Sequence, residues 1–512
     1  MDCQTIQISS RPGEPLGLRN LKMFPTVSKS KSKPQLFQHA SNLMSEVYDE
    51  FAEESSIHGI RYTSGKKSPR ERAVWLLLVV LSMISAGMLA QKFYHRHKEA
   101  TMRTLIVTNH YPSHKIPLPA VTICHPTIVS TRKLEQYEKD GKRIEMPFGM
   151  EWNQFLSDLQ FTQEIYVPTN HFQHAMFRLN SVMSYNNLSM EGLLSILSPS
   201  CDEYLAHCQL QGESKSCHHY IKPSKTIYGL CCSFNYVYAE RDTRWSQGED
   251  IYSNFFGDNF IFSAIVKNFG DLDRIAALTY GDGTRVLIHD SHSYPGQSSR
   301  EFIARQGSET IAYVDGRILT ASPEVLNLPR DERDCRTTMA GGSTYRLDNC
   351  IAICHEKLLK EYCDCIPYYA SVFKDDDIAC NFTHISCLSK VKARVLQTPF
   401  RNEPCNCYPV CDGNSYLVAI TAAPMNAAQH NPSSFYRIAE NYPNSTAIHI
   451  TFPRQTATLL RRDLVLSWIN LVSSLGGVFS LFLGCSFISL CEMIYFLMYY
   501  VYRVIKGRVT NS

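Results

Sequence analysis

The chain has 512 residues, a formal net charge of +3 and a charged fraction of 19%. That length exceeds one ordinary soluble domain, and a balanced charge offers no basic surface for nucleic acid, so no nucleic-acid partner is expected. Sixteen of the 19 cysteines lie between Cys124 and Cys411, bracketed by two apolar runs, Ala73–Ala90 and Leu464–Tyr502. Disulfides persist in oxidising compartments. The middle segment is therefore expected outside the cell or in a lumen, with both termini on the cytoplasmic side of the plasma membrane. The even count suits full pairing, leaving Cys3, Cys485 and Cys491 as thiols.

Residues 1–50 are polar and punctuated, as in Ser28-Lys-Ser-Lys-Ser-Lys-Pro34, and read as a disordered tail. About 70 residues precede the first apolar run, so no cleavable signal is expected. Phe51–Arg72 is mixed and contains His58-Gly59. Ala73–Ala90 spans about 27 Å as a helix, close to the hydrocarbon thickness. The alternative, a buried core helix, gains nothing from a run that no charge interrupts. Basic residues flank both sides (Lys66, Lys67, Arg70 and Arg72 before, Lys92, Arg96, Lys98 and Arg103 after), so the positive-inside rule barely orients the span. Glycosylation acceptors at Asn187, Asn381 and Asn444 all fall in the middle segment and agree with the cysteines. Within that ectodomain, Ala120–Cys124, Asn259–Val266 and Ile311–Leu319 read as strands. Asn349–Tyr362 reads as a helix with Cys350 and Cys354 one turn apart, and no internal repeat is present.

The second run has 39 residues, about 58 Å of helix, nearly twice a bilayer's need. It must tilt strongly or break. Ser473, Gly477, Ser480 and Gly484 follow the spacing i, i+4, i+7, i+11 and share one narrow stripe. Such a stripe permits close helix contact in lipid or lines a wet path; dimer packing of a plain anchor is the simpler reading. Gly484-Cys485-Ser486 is the expected break. Non-helical backbone at membrane depth must be buried in protein or line water, where carbonyl dipoles can replace a cation's hydration. Glu492 is the sole charge between Leu464 and Tyr502. It either forms an acidic ring with other copies or snorkels to the inner surface.

Taken together these residues resemble the degenerin/epithelial sodium channel superfamily, insect pickpocket-type members in particular, from about Phe51 to Tyr500. Ser55-Ser-Ile-His-Gly59 resembles the cytoplasmic His-Gly gating motif, and Pro119-Ala-Val-Thr-Ile-Cys124 the strand entering the ectodomain. Gly229-Leu-Cys-Cys-Ser-Phe-Asn235 resembles the Gly-x-Cys-x-x-Phe-Asn signature, Cys405-Asn-Cys-Tyr-Pro-Val-Cys411 the thumb cluster, and Gly484-Cys-Ser486 the Gly-x-Ser filter. The resemblance implies an α+β membrane protein. Its large disulfide-rich extracellular domain would have a β-sheet palm and ball core with a peripheral helical finger and thumb. The implied organisation is a cytoplasmic tail (1–71), a first span (72–91), an ectodomain (92–462, thumb 335–411), a second span carrying pore and filter (463–502) and a short cytoplasmic tail (503–512).

Family connectivity implies Cys335–Cys411, Cys350–Cys407, Cys354–Cys405, Cys363–Cys387 and Cys365–Cys380 in the thumb, with Cys124–Cys231 and Cys208–Cys217 elsewhere. Cys201–Cys232 is left as an extra pair. A metal site at Cys217-His218-His219 is the rival for that segment. Two positions depart from acid-sensing relatives: Arg330-Asp-Glu-Arg-Asp334 replaces an aromatic before the first thumb cysteine, and Ser473-Ser474 replaces an aspartate at the outer mouth. The function implied is a sodium-preferring, amiloride-sensitive-type cation channel subunit without cofactor or catalytic site. Sodium would be its permeant ion, membrane lipid its surround, and homo- or heterotrimers its assembly, opened by an extracellular ligand or mechanical stimulus. Gly484, Cys485 and Ser486 would select ions. Ser473, at the degenerin position, would gate with Gly477 and Ser480, with Glu492 at the inner end and His58-Gly59 as the gating motif. A two-span receptor or lipid-scavenging protein, and an ATP-gated trimeric channel, are the alternatives.

Overall fold

The structure is a computed structural model that describes residues 33–510 apart from 100–101, 142, 166, 168, 170, 238–249, 269–273, 278–280, 297–298, 338–344, 371–376, 427–432 and 466. Cys3 and residues 28–32 lie outside the described residues. In chain order the elements are α1 (Lys33–Glu54), α2 (Pro69–Glu99), β1 (Met102–Pro112), β2 (Ala120–Cys124), β3 (Thr127–Ser130), α3 (Thr131–Lys139), α4 (Trp152–Leu159), α5 (Gln173–Tyr185), α6 (Met190–Leu197) and α7 (Cys201–Tyr204). They continue through β4 (Leu205–Leu210), β5 (Glu213–Lys215), β6 (Ile221–Thr226), β7 (Gly229–Phe234), β8 (Phe262–Val266), β9 (Arg274–Ala277), β10 (Gly283–His289), β11 (Arg300–Arg305) and β12 (Ser308–Ala321). Last come α8 (Pro323–Leu326), α9 (Arg330–Arg333), α10 (Leu347–Cys363), α11 (Ile385–Leu396), β13 (Gly413–Pro424), α12 (Ser434–Glu440), β14 (Thr446–Thr451), β15 (Thr456–Leu464), α13 (Trp468–Leu483) and α14 (Phe487–Thr510). Two compact units result, Ala100–Val465 and the pair of segments Met1–Glu99 and Leu466–Ser512.

The larger unit is built on two sheets. One has the order β1-β15-β12-β14-β8-β4-β5 with β13 also paired to β12; the other runs β11-β10-β2-β7-β6. Strand β2 lies between β10 and β7 and is buried at every position, which is why Ala-Val-Thr-Ile-Cys shows no polar alternation. Strand β12 alternates buried and half-buried positions from Ser308 to Gly316, so Ala312 and Val314 enter the core with Phe234, Phe262 and Ile448. The β8 strand begins only at Phe262. Asn259 is held in a turn by its N–H to the Phe256 carbonyl, so the expected strand start at Asn259 is corrected. A second core joins α4, α5 and α6 to the α10–α11 region through Leu159, Leu179, Leu193, Tyr368 and Phe382.

Eight disulfides cross this unit. Cys124–Cys231, Cys201–Cys232 and Cys208–Cys217 tie the sheets and their loops. Cys335–Cys411, Cys350–Cys407 and Cys354–Cys405 nest along α10, Cys363–Cys387 joins α10 to α11, and Cys365–Cys380 closes the loop between them. Each cross-link of this kind stabilises a fold by about 2–4 kcal/mol, so two helices with modest burial hold as one body.

The smaller unit corrects two expectations. Residues 33–54 form a helix rather than continuing a disordered tail. Pro34 suits a first helical turn, and Leu43, Val47 and Phe51 recur every four residues, turning the buried side of α1 toward α14 and the His-Gly segment. Phe51 meets the Phe496 ring edge-on at 5.4 Å. The run from Leu464 to Tyr502 breaks at Gly484–Ser486 as expected, but its helical part starts later than expected. Leu464 ends β15, paired with Met102, and α13 starts at Trp468 because the Ser467 hydroxyl caps it by accepting the Asn470 N–H.

Candidate functional site

Helix α2 is long and apolar enough to span a bilayer over Pro69–Lys98, as is α14 over Phe487–Lys506, with α13 a shorter apolar helix between. The break between α13 and α14 falls at Gly484–Ser486, and its chemistry is local. Gly484 adopts φ +63° and its N–H bonds the Ser480 carbonyl at 2.9 Å, a left-handed glycine cap that ends α13. Ser486 starts α14: its hydroxyl accepts the Ser489 N–H at 3.3 Å, while the Ser489 hydroxyl accepts the Ser486 N–H at 3.1 Å. This reciprocal pair is a capping box made of two serines. The glycine stops one helix and the serine begins the next. Only Cys485 stands between them, half-buried, and it and Cys491 are free thiols.

Leu471 and Val478 are the buried residues of α13, which rests against α2. At 3.6 residues per turn, Ser473, Gly477 and Ser480 lie about 180–240° round from that face. All three are exposed, and a side chain built on Gly476 or Gly477 meets nothing. These three positions of the small-residue stripe are therefore left uncovered by the described residues of their own chain, whereas Gly484, the fourth, is not.

The His-Gly segment docks on this break. The His58 N–H donates to the Leu483 carbonyl at 2.9 Å, satisfying an acceptor that the end of α13 leaves free. A Cβ on Gly484 would collide with the His58 imidazole, so that position excludes side chains for two independent reasons. Gly59 is equally constrained. Its φ is +84°, and a Cβ there would sit 2.9 Å from Val79 and 3.5 Å from Trp75 of α2. Tyr62 stacks on Trp75 just beyond, ring centroids 4.5 Å apart.

Glu492 finds its partner in the same segment. Its Oε2 accepts the Ser56 N–H at 3.1 Å and the Ser56 hydroxyl at 3.0 Å, and Ser56 Oγ also lies 2.6 Å from Ser489 Oγ. Ser489 is fully buried. An acidic side chain in a span needs water or a protein partner, and here the N-terminal segment supplies one. Ser56 and Ser489 carry no role in the sequence reading. The signals are Ser486 and Ser489 at capping-box spacing, and Ser489 and Glu492 one turn apart on one face.

The remaining predicted sites lie in the ectodomain. Asn187 and Asn444 are exposed in left-handed turns. Asn381 is half-buried, its Oδ1 accepting the Thr383 N–H and hydroxyl. Cys217 is consumed by its disulfide with Cys208, His218 Nδ1 contacts the Ser216 hydroxyl at 2.9 Å, and no metal-binding cluster occurs among the described residues. In the segment Arg330–Asp334, which departs from the acid-sensing pattern, the Arg330 guanidinium lies over the Tyr408 ring at 4.4 Å.

The sequence matches the family described as "Amiloride-sensitive sodium channel" over residues 51–496. The chain belongs to this family. Degenerin/epithelial sodium channel proteins are ion channels, not enzymes, which sets aside the receptor and scavenger alternatives. The chain is 27% identical to "Sodium channel protein Nach" of Drosophila melanogaster over 474 residues, 88% of this chain and 86% of that one. It is 23% identical to "Pickpocket protein 11" of the same species over 463 residues, 88% of this chain and 75% of that one. A solved proton-activated chloride channel aligns over 83% of this chain and 96% of its own at a TM-score of 0.27 and 6% identity, too low to carry an argument. The protein is thus a multi-pass plasma-membrane channel subunit of the degenerin/epithelial sodium channel type, its two spans in lipid and its ectodomain disulfide-rich.

Proposed function

We propose that three copies of this chain, or of this chain and related subunits, surround a sodium-preferring, amiloride-sensitive pore with their second spans. The observation that carries this reading is the uncovered stripe of Ser473, Gly477 and Ser480 leading to a helix break capped by Gly484 and Ser486. Polar small residues have no reason to face lipid, and broken backbone at membrane depth needs protein or water beside it. Gly484, Cys485 and Ser486 select the ion, and Ser473 with Gly477 and Ser480 forms the constriction. The names carried by the Nach relatives and by the matching family support sodium as the permeant ion. Both termini are cytoplasmic, which places His58-Gly59 beneath the filter as a gating element, and Asn187, Asn381 and Asn444 carry glycans. An extracellular ligand or a mechanical stimulus opens the pore through the stapled thumb.

The test is expression of the chain with Ser473→Phe in a non-excitable cell. A bulky ring at the constriction holds the helices apart, giving a standing, amiloride-blocked sodium current that the wild type lacks without its stimulus. A correctly delivered but silent variant removes Ser473 from the gate, and a current indifferent to sodium removal defeats the proposed selectivity.

A further inference from the structure

The two thumb helices do not fill the space they enclose. Between α10, α11 and the sheet that carries β6, β7 and β10 lies a cavity of about 370 Å³, within the size range of small-molecule sites. Helix α10 presents Asp348, Ala352, His355 and Leu359 to it, and α11 presents Leu388, Lys392 and Val395. Steps of three and four place each set on one helical face. Ile227, Tyr228, Pro367 and Tyr369 close the far side, so the walls are mainly aliphatic and aromatic.

The few polar groups divide sharply. Arg285 is occupied: it bonds Glu301 Oε2 at 2.9 Å and lies over the Tyr228 ring at 4.2 Å, while the Tyr228 hydroxyl donates to the same carboxylate oxygen at 2.8 Å. Asp348 and Glu356 each have a partner within the protein. Lys392 and His355 have neither a hydrogen bond nor an ion pair among the described residues. Both are half-buried. Burial holds the His355 imidazole below its ordinary value, so it is neutral at physiological pH and still offers one N–H. What the cavity leaves unanswered is an ammonium and an imidazole above an apolar floor. That combination suits a negative, hydrogen-bond-accepting head on an apolar body.

We propose that this cavity is a ligand site for a small amphipathic carboxylate, its head held by Lys392 and His355 and its apolar body lodged between α10 and α11. Cys363–Cys387 ties the two helices together, and Cys350–Cys407 and Cys354–Cys405 tie α10 to the segment that returns before β13. A ligand wedged there shifts the thumb as a body. The site thereby names a chemical class for the extracellular ligand; its effect on current rests on the channel reading, its binding does not.

The full-length chain, purified in detergent, is to be photolabelled with a diazirine-bearing decanoic acid and its labelled peptides mapped. The label is expected on Leu347–Cys363 and Ile385–Leu396 peptides, competed by decanoate and not by decylamine. Lys392→Gln, which deletes one charge-assisted bond to the ligand and breaks no hydrogen bond or ion pair among the described residues, should weaken decanoate competition about tenfold. Ala352→Trp, which fills the cavity, should remove the label; if that variant misfolds, Lys392→Gln still decides. Label elsewhere only, equal competition by decylamine, or unchanged competition in Lys392→Gln overturns the site. Labelling as expected in a chain that carries no current even with Ser473→Phe supports the site and counts against the channel reading instead.

Discussion

The ectodomain and the membrane unit are held by different physics. In the ectodomain, Val121, Ile123, Leu193, Ala312 and Ile448 are lost to solvent entirely, and eight disulfides reinforce what burial already fixes. In the membrane unit the large apolar residues face outward: Leu481 and Phe487 are each 80% exposed and Ile469 74%. Hydrocarbon is as apolar as leucine, so lipid gives such helices no hydrophobic reason to choose one arrangement over another. Their arrangement rests instead on a handful of polar bonds and on glycines that allow close approach: His58 on Leu483, Ser56 on Glu492, Gly484 under the imidazole, Gly59 against Val79. One region tolerates many small changes, and the other depends on a few atoms.

The largest effect is therefore expected at Gly484. An alanine there adopts a left-handed backbone at about 1–2 kcal/mol and also meets the His58 ring. Gly484→Ala should drive the sodium-over-potassium permeability ratio toward one, read from reversal potentials. Adding His58→Gly removes the collision but not the backbone strain, so it should restore part of the ratio. No recovery at all would show that the imidazole contact is irrelevant to the filter, and the contrast between the two regions would lose its main support.

Legibility in the sequence follows the same divide. Strand β2 and helix α10 were readable because apolar runs and turn-spaced cysteines are local signals, and the break at Gly484 was readable because glycine and serine punctuate helices wherever they occur. Helix α1 was missed: the Lys-Ser-Pro punctuation before it outweighed the four-residue recurrence of Leu43, Val47 and Phe51. The partner of Glu492 was beyond reach. Ser56 lies 436 residues away, and nothing about a serine announces which carboxylate it will meet. The empty space beside Lys392 was equally invisible, since a cavity is a property of how helices fail to meet.

An intermediate effect tests the burial-held region. His289 lies in β10 with Nε2 2.9 Å from the Thr122 hydroxyl and Nδ1 3.0 Å from the Asp290 carbonyl, and burial pushes it down to about 4 from an ordinary 6.5. A depressed histidine means that the folded state refuses a proton which the unfolded chain accepts below pH 6.5. Stability is complete above that value and falls as pH drops toward 4, by about 3 kcal/mol at ~1.4 kcal/mol per pH unit. The thermal midpoint of the solubilised chain should decline between pH 7 and pH 4.5, and His289→Gln should flatten that decline. An identical slope in the variant would place the acid sensitivity elsewhere.

The smallest effect is the most specific to the membrane unit. If Ser56 anchors Glu492, the two side chains act as one unit, and removing either loosens the His-Gly segment beneath the break. In a Cys3→Ser, Cys491→Ser background the rate at which a thiol reagent modifies Cys485 reports that loosening directly. A single bond to a charged group contributes about 1.5–3 kcal/mol, so Ser56→Ala and Glu492→Ala should each accelerate modification about tenfold. The double variant should be no faster than either alone, since the bond is already gone. Ser56→Thr keeps the hydroxyl and should stay near the parent rate. Effects that multiply instead would mean that Glu492 serves the pore independently, as part of an acidic ring, and that the serine merely sits nearby.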